Sequence, residues 1–134
     1  MRMLTITLLK RTERMTTKRK LSFKKKTIKV TPYQCKLTMI LAEDLNVIRD
    51  TYNLTANLDG FGAVTFKNPN KDRHYVVVFS DPKHTSNIVH EIIHIRSFIY
   101  LDIHEQVNFQ NDEHEAYLCG WLFEQIEEFL NKNK

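Results

Sequence analysis

His90, Glu91 and His94 stand inside the otherwise largely aliphatic stretch IVHEIIHIRSF, residues 88–98. On a helix, residues four apart project from one face a turn from each other, so both imidazoles can meet one tetrahedral ion. A carboxylate beside the first histidine, itself unbound, is placed to take a proton from a water that Zn²⁺ activates. The isoleucines at 88, 92, 93 and 95 predict that this helix is buried. Unpaired imidazoles and a carboxylate in such a place would cost on the order of several kcal/mol, and a bound Zn²⁺ is a reason to hold them there. With six histidines in 134 residues, chance alone places the pattern HExxH in about 2 of every 100 chains of this composition.

Two histidines leave a catalytic zinc one protein ligand short, because three ligands and an open position are usual. The extension HExxHxxGxxH does not apply, since Ser97 and Tyr100 occupy the places of its glycine and last histidine. Acids recur instead in NDEHEAYLCGWLFEQI, about 20 residues on. Glu113 and Glu115 differ by about 200° around a helix, so only one can face the site. Cys119, Leu122, Phe123, Ile126 and Leu130 mark an apolar face, and one turn back from Cys119 lies Glu115. Glu115 is therefore the expected third ligand, with Glu113 next and His104 and His114 behind them. The rival reading of Glu115 needs no metal: Asp112 caps the helix and Glu115 closes a capping box.

These side chains require particular elements to position them. The stripe at 37, 41, 45, 48 and 52 predicts a first helix between Tyr33 and Leu54, ended by the turn NLDGFG. AVTFKNPNKDRHYVVVFSD reads as an antiparallel hairpin whose second run, YVVVF, is apolar on both faces and so central or covered. Thr85 or Ser86 can cap the histidine-bearing helix, which runs to about Leu101. Asn111 or Asp112 can cap a third, running to about Leu130. A short strand starts near Thr27, in TIKV. The expected fold class is α+β: three main helices on a small, mostly antiparallel sheet with a hairpin.

Eleven basic residues lie in positions 1–30 against the single acid Glu13, leaving nine basic and fifteen acidic residues over the other 104 positions. A basic arm, residues 1–26, thus precedes an acidic body, residues 27–134, and its repeated like charges predict flexibility. Such an arm would attract nucleic acid or an acidic partner, or would simply be solvated. No apolar run approaches the roughly 18 residues of a membrane span. Cys35 and Cys119 lie far apart, without a CxxC pair, so neither a disulfide framework nor a thiolate zinc site is indicated, and a reducing cytoplasm fits best.

HEIIH followed by DEHEAY resembles the gluzincin arrangement, HExxH and then a glutamate on the next helix. Over about residues 27–131 the element order is similar to a minimal zincin domain, more narrowly to ImmA-like metallopeptidases and short HExxH proteins of phages and mobile elements. The resemblance implies a Zn²⁺-dependent peptidase acting on a peptide or protein, with His90, His94 and Glu115 on the metal and Glu91 as general base. It also implies that YVVVF lies by the cleft and can pair with an extended peptide. Cys119 stands where the thermolysin-like pattern has an aspartate, so the group orienting His90 is not identified. His114, Tyr117, Tyr100 and His104 all qualify as oxyanion donors. Two rivals stand beside this reading. One is a non-catalytic phage or mobile-element binding protein, with a zinc-stabilised core and the basic arm on nucleic acid or an acidic partner. The other is a zinc-free helical interaction domain.

Overall fold

The computed structural model describes residues 23–83 and 85–134; residues 1–22 of the basic arm lie outside that range. In chain order the elements are β1 (Lys24–Val30), β2 (Cys35–Leu41), α1 (Leu45–Tyr52), β3 (Ala63–Lys67), β4 (His74–Phe79), α2 (Thr85–Asp102) and α3 (Glu113–Lys132). The four strands make one sheet in the order β1-β2-β4-β3. β1 runs antiparallel to β2 and β3 antiparallel to β4, while the central pair, β2 and β4, is parallel. The α+β architecture and the hairpin agree with the sequence reading.

Both faces of the sheet are covered. Leu37, Met39, Tyr75, Val77 and Phe79 point to α2 and α3, where Ile92, Ile95, Ile99, Leu122 and Ile126 meet them. Ile40, Val76 and Val78 point the other way and pack with Leu45 and Ile48 of α1 and with Leu58. This double coverage explains why YVVVF is apolar at every position. β4 is hydrogen-bonded along both edges, so it has no edge left for a peptide, and the expectation that YVVVF pairs with one is corrected. Among the described strands, the outer edge beside the histidine helix belongs to β3.

Two further expectations change. The predicted first helix is cut to 8 residues, because residues 35–41 form β2 and only Leu45–Tyr52 is helical. Leu37 and Leu41 sit at helical spacing from Leu45, yet the ladders to β1 and β4 claim them for the sheet. Asp44 marks the true helix start, its side chain accepting from the Asn46 N–H at 2.9 Å. Asn53 ends it in the left-handed conformation, φ 59°, returning its N–H to the last turn. The first strand begins at Lys24 instead of Thr27. Lys24, Lys25 and Lys26 can belong to a strand because β1 is an outer strand and their side chains are exposed.

Candidate functional site

α2 lies across the sheet on Ile88, Ile92, Ile95 and Ile99, which are buried. His90 and His94 fall on the opposite side, about 160° from that core face at 100° per residue, and both are exposed. The expectation of buried imidazoles is therefore corrected: the isoleucines are split between the two sides, with Ile93 43% exposed. The imidazoles still converge. Their Nε2 atoms are 3.1 Å apart and the rings meet edge to face, with centroids 4.8 Å apart.

That separation has two chemical meanings. Between neutral rings it is a hydrogen bond, one Nε2–H donating to the other Nε2. Two nitrogens each about 2.0–2.1 Å from a shared tetrahedral ion would stand about 3.3 Å apart, so the pair also fits two corners of a zinc site. Glu91 is the buried member of the motif, 4% exposed. Its Oε1 accepts from the Thr65 hydroxyl at 2.6 Å, and its Oε2 stands 4.0 Å from His90 Nε2. One carboxylate oxygen is thus tied to β3 while the other faces the imidazole.

Glu115 lies on the first turn of α3 and is turned inward, as the face argument anticipates. Its Oε2 accepts from Nη1 of Arg96, and the two side chains are only 14% and 18% exposed. The structure therefore brings together His90, His94 and Glu91, and sets Glu115 on Arg96. Glu113 and His114 are exposed. Among the described residues no group of three or more His, Cys, Asp and Glu side chains forms a metal shell. The capping-box reading of Glu115 fails, because the Asp112 side chain makes no cap hydrogen bond.

The oxyanion candidates separate by location. Tyr117 is 73% exposed, and His104 is exposed in a left-handed conformation, φ 59°, just past the end of α2. Tyr100 is buried near Tyr33 and Glu115; burial first, then these neighbours, push its hydroxyl up to about 12. Cys119, beside Glu115, is likewise raised, by burial and then by that carboxylate. Thr65 and Arg96 are the contributors that sequence reasoning missed. Arg96 carried a faint signal, a charge in an apolar helix preceding an acid-rich one; Thr65 carried none.

Compared with known proteins, the chain matches no family model, no curated protein and no solved structure.

Proposed function

We propose that this protein is a zinc-dependent metallopeptidase built on His90, Glu91 and His94. The observation that carries the reading is the convergence of two Nε2 atoms at 3.1 Å on an exposed helix face, with a buried carboxylate oxygen 4.0 Å from one of them. His90 and His94 would hold the ion, and Glu115 would join them on leaving Arg96. A zinc ion so held polarises a carbonyl and lowers the pKa of water.

Glu91 does the proton work. Its Oε2 faces the imidazole side, where it takes a proton from the attacking water and passes it to the departing amine. The Thr65 hydroxyl fixes the other oxygen, so the carboxylate does not swing between the two tasks. β3 also supplies a docking edge. An extended peptide adding, as a further strand, to the side that no described strand pairs would run past Thr65, close to Glu91.

Metal content and peptide cleavage, measured on the same preparations, test the proposal. Glu91→Gln is expected to retain zinc and lose cleavage, and His94→Ala to lose both. Cleavage that survives Glu91→Gln removes Glu91 as the base; zinc-free protein, or zinc indifferent to His94→Ala, removes the metal site.

A further inference from the structure

Lysines on β1 protect an outer strand, but that reason does not extend to Lys36, which lies on β2 between β1 and β4. In the ladders Lys29 stands directly opposite Lys36, and Lys36 directly opposite His74. Like charges in opposing positions destabilise a sheet, so this row calls for a compensating charge. Among the described residues no carboxylate pairs with either lysine. The row also has room beside it. Lys29 and Lys36 are exposed, on the sheet face whose other half, around Ile40, Val76 and Val78, is covered by α1. Lys29, Pro32, Cys35, Lys36 and Arg73 line a cavity of about 500 Å³, and Arg73 borders a second, of about 330 Å³, with Lys67 and Lys71. The Arg73 Nη2 donates to the Tyr33 carbonyl, while its Nε is buried without a hydrogen-bond partner. Five cations of an otherwise acidic body thus gather at one end of the sheet. The acids beside them are Asp72 and Asp102, and Asp102 is already bound by Lys67.

We propose that this end of the sheet binds nucleic acid through its phosphodiester backbone, with Lys29, Lys36 and Arg73 holding the phosphates. A phosphate between the two lysines supplies the negative charge that the row lacks, and the acidic remainder of the body repels the strand everywhere else. Among the described residues, no exposed large hydrophobic side chain lies on β1, on β2 or in the turn between β3 and β4. The surface therefore has neither the apolar centre of a protein interface nor an aromatic platform on which bases stack. What it offers is cations, so the contact is to phosphate and does not read sequence. The site belongs to the folded body, apart from residues 1–22, and it is independent of the metal reading above.

Fluorescence anisotropy of a labelled oligothymidylate, titrated with the full chain at several salt concentrations, tests the site. The double variant Lys29→Gln, Lys36→Gln is expected to bind about tenfold more weakly than the parent at low salt. Its slope of log K against log salt is expected to be shallower by about 1.4, for two phosphate contacts at about 0.7 each on a single strand. Because the change removes a repulsion, its melting temperature is expected not to fall. Lys83→Gln with Lys132→Gln, two cations elsewhere on the body, is expected to bind like the parent. A parent that binds no oligonucleotide, equal binding by the Lys29 and Lys36 variant, or an equal loss in the control pair overturns the proposal. Tighter binding of polyglutamate than of oligothymidylate overturns it too, and marks an acidic protein as the partner. Should the variant melt lower than the parent, acetylation of the parent's lysines with and without oligothymidylate takes its place. Protection of Lys29 and Lys36 but not of Lys132 is expected, and acetylation of both that the oligonucleotide leaves unchanged overturns the site.

Discussion

Glu91 is a carboxylate 4% exposed, and its only hydrogen-bond donor among the described residues is the Thr65 hydroxyl at 2.6 Å. Removing that donor leaves a buried acceptor unsatisfied, which costs about 1–3 kcal/mol. Thr65→Val keeps the side-chain shape, so urea unfolding is expected to show a loss of that size, and Thr65→Ser to restore most of it. In a cleavage assay Thr65→Val is expected to lower kcat by up to about 100-fold with little change in KM, since a general base held loosely is a misplaced one. Unchanged stability in Thr65→Val would mean that the hydroxyl does not hold the carboxylate. The histidine pair was legible in the sequence because four-residue spacing is a local property of a helix. The Thr65–Glu91 bond was not, since 26 positions separate the partners and only the placement of β3 beside α2 joins them. Nor could spacing choose between the metal and Arg96 for Glu115, because both claims call for the same inward-facing position on α3.

At the scale of elements, α2 ends on Asp102, an acid where a helix C-terminus disfavours negative charge. The position is explained by docking. Asp102 Oδ1 accepts from Lys67 of β3 at 2.7 Å and Oδ2 from the Tyr75 hydroxyl of β4 at 2.5 Å, so one side chain ties the helix to two strands. Phe98 stacks on Tyr75 beside it, with centroids 6.0 Å apart. Burial pushes the Asp102 carboxyl up, but the bonds from Lys67 and Tyr75 outweigh it and the net shift is downward. A folded pKa below the unfolded one contributes stability that is full above the unfolded value, about 3.9, and is lost as pH falls through the folded value. Asp102→Asn is therefore expected to be less stable near neutrality and to lose less further stability below about pH 4, in urea melts across that range. Parallel acid limbs for parent and variant would exclude this role. The hairpin and the two long helices were legible because turn-forming residues stand between them. β2 was not: CKLTMIL is apolar at helical and strand spacing alike, and its state is decided by β1 and β4 on either side.

For the whole molecule the two sheet edges do different work. β3 borders the candidate site, whereas β1 covers β2 and shows Lys24, Lys25, Lys26 and Lys29 to solvent. Lysines on an outer strand oppose pairing with other chains, so part of the basic arm expected from charge alone is structural. Lys24, Lys25 and Lys26 pair with Leu41, Ile40 and Met39, which makes the boundary between arm and fold testable. Deleting residues 1–22 removes none of the ladder and is expected to leave thermal unfolding and zinc affinity as they were. Deleting residues 1–26 also takes three of the seven residues of β1 and opens the Met39–Leu41 edge of β2, so a lower melting temperature and concentration-dependent association are expected. The same pair of truncations weighs the rival role of the arm. Affinity for a polyanion that is carried by residues 1–22 falls steeply with salt and vanishes in the shorter deletion, which keeps the β1–β2 ladder. Polyanion affinity that persists without residues 1–22 would place the contact on the folded body, with the exposed lysines of β1 the first to substitute. If both truncations melt like the parent, the lysines of β1 belong to the arm after all and β2 needs no cover.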